Sequence, residues 1–448
     1  MGLELSKSMP VLPDNETRGG SYFVANYPPF SFWSPEAIPS ALEVLKEPPC
    51  PGTPLGLYVH IPFCRKRCHF CYFKVYTDKN SSEIRTYNHS LIEELALYSK
   101  LPIIGDRHLR FIYFGGGTPS YLSANQLLDL SAGLKKVLPW DQAEEITFEC
   151  EPGTLSEAKL QALREMGVTR LSLGVENFND SLLELNGRAH RSGEIYRMYE
   201  YARQTGFPQI NIDLIAGMLG ETGDNWRHCI EETIRLKPDS VTIYQMEIPF
   251  NTTIYREMKA SGCMTAPVAD WETKRRWVQQ AFEALEQEGY AIGSAYTAVR
   301  NPGRVHFVYR DLLWHGADMI ALGVASFGHL KGCHFQNVKD FADYISRIEA
   351  GFLPLQRACQ LDEQERFIRE FILQMKLGRI SKDYFMEKFK IDIDSAYRET
   401  FDWMRNQGWL HQENGDLLLS RELLLQVDSI LHHFFKACHQ VQASEGKT

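Results

Sequence analysis

The stretch YVHIPFCRKRCHFCYFK, residues 58–74, sets Cys64, Cys68 and Cys71 inside eight positions, directly after a short β-like run. The chain has 10 cysteines, and the others (Cys50, Cys150, Cys229, Cys263, Cys333, Cys359 and Cys438) are scattered singly. Scattered cysteines in a reducing compartment are mostly small buried hydrophobes. The cluster therefore needs its own explanation, and three compete. A disulfide fails on compartment and on parity. A structural zinc site usually gathers its thiols as two spaced pairs, whereas here the spacing is Cys-x3-Cys-x2-Cys with no second pair. An iron–sulfur cluster on three thiolates is the third. A four-iron cube held this way has one iron without a protein ligand, open to a small chelator.

The rest of the composition sets bounds. The chain has 448 residues, 44% of them hydrophobic, and a net charge of −9. At roughly 150 residues per domain it holds about three units, or one large α/β domain and a smaller one. The acidic balance argues against bulk binding to nucleic acid or anionic membranes. No apolar run reaches the roughly 18 residues of a membrane span. The first residues lack the charged and apolar blocks of a secretory signal, although Met-Gly-x-x-x-Ser fits the bare myristoylation pattern. A cytoplasmic protein is expected.

Outward from the cysteines, strand-like and helix-like runs alternate. LYVHI (57–61), FIYFGGG (111–117), EITFEC (145–150), RLSLGVE (170–176), INIDLIAG (210–217) and SVTIYQM (240–246) are short and nearly continuous in apolar content, as parallel strands covered on both faces are. Ser123-x-x-Gln126 and Thr154-x-x-Glu157 read as capping boxes opening helices. Val278, Ala281, Phe282 and Leu285 fall at helical spacing before Gly289. Six β/α units predict a partial (β/α)6 TIM-like barrel over 55–300, preceded by an aromatic lead-in (1–54) that covers the barrel mouth. A cavity-closing segment follows over 301–360. A small helical, winged-helix-like domain spans 361–440, its hairpin turning on Asn414-Gly415.

The Cys-x3-Cys-x2-Cys spacing after the first strand resembles the radical S-adenosylmethionine (SAM) enzymes, and barrel active sites lie at such strand ends. LYVHIPFC, GGGTPSYLS, EITFECEP, GVTRLSLGVENF, LNGRAH and NIDLIAGM together are similar to the oxygen-independent coproporphyrinogen III oxidase family, from about residue 20 to 430. The resemblance implies a [4Fe–4S] cluster on Cys64, Cys68 and Cys71, and SAM, in one or two molecules, chelating the open iron. Reductive cleavage of SAM would give a 5′-deoxyadenosyl radical. By the same resemblance Gly116, Gly117 and Thr118 meet the SAM amino group and Tyr58 stacks near adenine. Glu149 lies at the substrate-proximal end, and Arg188 and Asp213 contact SAM carboxylate, ribose or a second SAM. Met246 lines the adenosine pocket. Glu149 and Glu176 are the catalytic candidates, and Glu176 also faces the cofactor.

Two positions depart from the family. Its decarboxylating members carry a fourth cysteine where this chain has Phe73, and a glutamine where it has Glu176, which turns a donor and acceptor into a charged acceptor. A Cys-x-Phe ending is found in the related haem chaperones and in class C radical SAM methyltransferases. The expected reaction is thus methyl or methylene transfer to an sp² carbon of an aromatic or tetrapyrrole substrate. The alternatives are coproporphyrinogen decarboxylation and haem binding by a chaperone. A flavodoxin or ferredoxin would supply the electron. Tyr309, Trp314, Phe327 and His329 are expected to clamp a flat substrate, and His329 and His334 are candidate acid/base groups or haem ligands.

Overall fold

The computed structural model describes residues 15–440 apart from 22 and 264; the Met-Gly-x-x-x-Ser pattern lies outside the described residues. The six runs read from the sequence are strands β1 (Leu55–Ile61), β2 (Leu109–Gly116), β3 (Glu145–Cys150), β4 (Arg170–Glu176), β5 (Gln209–Ala216) and β6 (Ser240–Gln245), each parallel to the next. In β1 only Tyr58 is less than fully buried, because helices and strand interior cover both faces. These six form the centre of a 12-stranded sheet. On one flank a short hairpin, β7 (Ala291–Ile292) and β8 (Thr297–Val299), adds antiparallel to β6. On the other, β9 (Asp318–Leu322) pairs parallel with β1, and β10 (Phe327–Leu330), β11 (Cys333–Asn337) and β12 (Leu355–Gln360) continue antiparallel.

The Ser123 capping box opens the helix Ala124–Val137 as expected. The second box is displaced. Ser156, not Thr154, caps the helix Glu157–Glu165, because Pro152 starts a 3-10 turn that keeps Thr154 for itself, its hydroxyl donating to the Glu151 carbonyl at 2.9 Å. Val278, Ala281, Phe282 and Leu285 are buried on the helix Trp271–Gln287, and Gly289 follows at φ 84°. Beyond 360 a separate apolar core, with Phe367, Phe371, Phe385, Tyr397, Phe401 and Phe434, is capped by a three-stranded sheet. Its hairpin turns on Asn414 and Gly415 at φ 50° and 90°, the pairing that two-residue hairpins favour.

The aromatic lead-in takes another course than expected. Phe30 rests on Phe327 at 4.6 Å, Trp33 stacks on His334 at 4.7 Å, and Tyr27 meets Phe435 at 4.7 Å. These rings cover the β10–β12 flank and the C-terminal core, where apolar surface would otherwise face water. Among the described lead-in residues, the stretch before them reaches the strand-end face: the Gly20 amide donates to Ile248 O at 2.8 Å, just past β6. No helix among the described residues is long and apolar enough to cross a membrane.

Candidate active site

β1 delivers the chain to its C-terminal end and the cysteine loop begins three residues later. Two arginines of the loop pin it. Arg65 donates to the carbonyls of Gly153 (2.6 Å) and Ala189 (2.7 Å), and Arg67 to those of Cys71 (3.0 Å) and Asn251 (3.2 Å). Cys64 is 8% exposed, and its Sγ lies 3.3 Å from the Thr118 hydroxyl. The glycine run that ends β2 and continues to Gly117 allows that approach. A Cβ on Gly117 would come within 3.0 Å of the Cys64 sulfur, and Gly116, at φ 119°, leaves room for the His60 ring, 2.6 Å from where its Cβ would be. Burial pushes the Cys64 thiol up to about 12 and Cys71 to about 11. Thiolates here therefore need cationic help, from bound iron and from Arg188, whose Nη1 is 3.4 Å from the Cys68 sulfur. Among the described residues no three His, Cys, Asp or Glu side chains are close enough together to share one ion. A cuboidal cluster asks something different, one thiol to each of three irons.

Arg188 is the hub. It also donates to the Gly174 carbonyl at 2.7 Å and lies 3.5 Å from the Glu176 carboxylate. β4 makes this possible by breaking register with β5 between Gly174 and Glu176. Glu176 sits at φ 63°, a left-handed conformation that an ordinary side chain rarely adopts. The bulge turns the Gly174 and Val175 carbonyls out of the ladder; Arg188 takes the first, and the His190 ring, at 3.2 Å, the second.

Glu149, on β3, accepts from the Tyr113 hydroxyl at 2.7 Å and the Gly116 amide at 3.1 Å. Asp213, on β5, accepts from Ser172 (2.7 Å) and Asn211 (2.8 Å). Burial raises all three carboxyls, and repulsion from neighbouring acids adds to it at Glu149 and Glu176, which are each lifted to about 7. Three partly buried acids on neighbouring strand ends, with Arg188 paired to Glu176 alone, form a site prepared for a cationic ligand. Tyr58 stacks on Tyr113 at 5.9 Å, with its hydroxyl 3.2 Å from His60 Nδ1. Met246 is buried with Ile215, Met218 and Ile248, and Phe70 of the cysteine loop packs against that group.

The structure thus brings together the cysteines, Gly116, Gly117, Thr118, Glu149, Glu176 and Arg188, with Asp213 adding its charge and Tyr58 and Met246 bordering. It adds Tyr113, which the sequence reading passed over; a tyrosine in register with Tyr58 on an otherwise apolar strand was the available signal. The proposed clamp is not assembled. Tyr309 packs on Tyr113 at 4.4 Å, but Trp314 joins the C-terminal core, Phe327 lies under Phe30 and Trp33, and His329 lies against His334 at the other flank.

Comparison with known proteins agrees with this geometry. Residues 58–233 match the radical SAM superfamily model. The haem chaperone HemW of Bacillus subtilis is 28% identical over 367 residues, which span 82% of this chain and 95% of that protein. The oxygen-independent coproporphyrinogen III oxidase of Escherichia coli is 27% identical over 365 residues, 76% of this chain and 78% of that one. The solved structure of the Escherichia coli coproporphyrinogen III oxidase superposes with a TM-score of 0.79 over 93% of this chain and 97% of that chain, at 23% identity. Neither relative is a methyltransferase, so the expectation of methyl transfer gives way to the tetrapyrrole alternatives. Residues 58–233 thus form a radical SAM domain, in an enzyme with the fold of the coproporphyrinogen III oxidase and with a [4Fe–4S] cluster and S-adenosylmethionine as its cofactors.

Proposed function

We propose that the chain directs radical SAM chemistry at a tetrapyrrole, in an oxidative decarboxylation of the kind named for its coproporphyrinogen III oxidase relatives. The observation that carries this reading is the Arg188–Glu176 pair beside the three cysteines, with the partly buried Glu149 and Asp213 on the neighbouring strands, on a chain aligned with the oxidase over most of its length. Cys64, Cys68 and Cys71 would hold the cluster, which when bound supplies the electron that cleaves SAM. Arg188 holds positive charge between Cys68 and Glu176 and can take a carboxylate. The Gly115–Gly117 backbone and Thr118 border the cysteine loop closely enough to orient a small ligand there. Glu149, kept in place by Tyr113 and Gly116, and Asp213, kept by Ser172 and Asn211, attract the cationic ammonium and sulfonium groups. Tyr58 and Met246 provide apolar walls. For each propionate converted, the substrate gives up a hydrogen atom, carbon dioxide and one electron, so a one-electron acceptor is needed as well.

A second reading, a haem chaperone, is favoured by Phe73 at the position of the oxidase's fourth cysteine and by the nearly complete overlap with HemW. Both readings place the chain in the cytoplasm with a flavodoxin or ferredoxin as reductant, and the basic Arg65, Lys66, Arg67 and Lys74 around the cysteines suit an acidic carrier. Anaerobically reconstituted protein with dithionite, SAM, coproporphyrinogen III and an electron acceptor should release 5′-deoxyadenosine and carbon dioxide. Tight haem binding without SAM turnover would favour the chaperone. S-adenosylhomocysteine as co-product would overturn both.

A further inference from the structure

A partly enclosed polar cavity, of about 40 Å³, lies at the N-terminal end of β9, between the β10–β11 turn and the helix Glu363–Met375. This is the end of the sheet opposite the cysteines. Its acids are already engaged. Asp318 takes Arg107 (2.7 Å) and the Lys331 amide (2.7 Å), and Glu370 takes Lys388 (2.8 Å) and the Tyr384 hydroxyl. The Lys331 ammonium is held by Glu47 at 2.7 Å. Two guanidiniums are left over, those of Arg366 and Arg369. Arg369 is 2% exposed, and its Nε donates to a neutral acceptor, Asn26 Oδ1, at 2.8 Å. Neither arginine forms an ion pair with a carboxylate among the described residues. Burial draws Arg369 down to about 10, against the pull of the Glu370 and Asp318 carboxylates, and Arg366 adds a little to the fall. Arg366 lies across Gly332 (φ 74°), where a Cβ would approach its Cδ to 3.0 Å. With both cavity carboxylates engaged elsewhere, two adjacent guanidiniums, one of them buried, favour an added anion.

The third wall specifies more. His334 Nε2 is 2.9 Å from the Tyr27 carbonyl oxygen, which can only accept, so that nitrogen carries the proton. Burial keeps this ring neutral, drawing it down to about 3, and leaves Nδ1 a bare acceptor. The Asn26 amide donates to that Nδ1 at 3.3 Å, and His329 Nδ1 stands 3.0 Å away. Two lone pairs would repel at that distance, so His329 is protonated on Nδ1. Its Nε2 is then a lone pair with no partner among the described residues, on a ring that lines the cavity.

We propose that this cavity binds one hydrogen phosphate ion, its oxygens on Arg366 and Arg369 and its P–OH donating to His329 Nε2. At about 10–15 Å³ per water the space holds roughly three waters, enough for a small oxyanion and not for a nucleotide. Phosphate there would tie the β10–β11 hairpin to the C-terminal domain. Sulfate, which carries no proton at neutral pH, would face the His329 lone pair without a donor.

The test is calorimetric titration of anaerobically reconstituted protein, in phosphate-free buffer at fixed ionic strength, with inorganic phosphate, sulfate and glycerol 2-phosphate. Saturable one-to-one phosphate binding is expected, weakened about tenfold or more in Arg366→Gln, whose partly exposed side chain can be lost without unfolding. Sulfate is expected to bind about tenfold or more weakly than phosphate, and glycerol 2-phosphate not at all. The melting temperature should rise with phosphate in the wild type and not in the variant. No saturable binding, or binding unchanged in Arg366→Gln, overturns the site. Sulfate binding as tight as phosphate overturns the role of His329, and tighter binding of glycerol 2-phosphate overturns the assignment to the free ion.

Discussion

Glu176 combines a left-handed backbone, a broken strand register and an ion pair with Arg188. Because burial and neighbouring acids lift Glu149 and Glu176 to about 7, both are partly protonated at neutral pH before a ligand arrives. Ionised carboxylates attract the sulfonium and ammonium of SAM. Affinity for SAM should therefore rise from pH 6 to pH 8, by up to about tenfold per pH unit for each titrating acid below its pKa; a flat Kd across that range, by calorimetry, would count against this role. Replacing Arg188 by Gln strands the Glu176 carboxylate and removes the cation beside Cys68, a change of about 3–5 kcal/mol where buried pairs are broken. Deoxyadenosine formation in that variant should fall at least tenfold while the fold, read by circular dichroism, persists. The residue types at these positions were legible in the sequence. The bulge was not read: Gly174 inside an apolar strand is a mark of one, but nothing local places Glu176 in a left-handed conformation.

At the scale of elements, the six parallel strands were readable because each is buried on both faces, which writes itself into a continuous apolar run. Pairings across hundreds of residues leave no such mark. Trp33 stacked on His334 could not be seen locally, and the lead-in was therefore expected over the barrel mouth. Thr154 was misread as a cap because the spacing to Glu157 fits, while the Pro152 turn that claims it is decided by geometry. The cysteine loop is held as an element by Arg65, whose two guanidinium nitrogens bridge it to the Gly153 and Ala189 carbonyls. Arg65→Ala keeps all three thiols but frees the loop. It should assemble the cluster and lose iron several-fold faster to a chelator than wild type, as followed by visible absorption; equal rates would show that the clamp is unimportant.

Across the whole molecule, Glu94 joins three distant segments. From the helix Ser81–Ser99 it accepts from the Gly323 amide (2.8 Å), Asn337 (2.7 Å) and the Tyr344 hydroxyl (2.6 Å). Burial raises its carboxyl from the ordinary 4.5 to about 7. The native state therefore keeps a proton that the unfolded chain releases, and this group's contribution to stability is lost as pH climbs through that window. Glu94→Gln removes the titration, so its stability should differ from wild type in pH dependence by up to about 1.4 kcal/mol per pH unit between about pH 4.5 and 7, measured by urea midpoints. Identical slopes would place the proton elsewhere.

The central claim is that three thiolates hold a four-iron cluster with one iron left for SAM. Its most direct test is quantification of 5′-deoxyadenosine from anaerobically reconstituted protein with dithionite and SAM, beside iron and sulfide counts. The account predicts about four irons and four sulfides per chain and deoxyadenosine from the wild type, with none from Cys64→Ala, Cys68→Ala or Cys71→Ala. Stoichiometric zinc with no sulfide, or deoxyadenosine that survives loss of any of these cysteines, would contradict it.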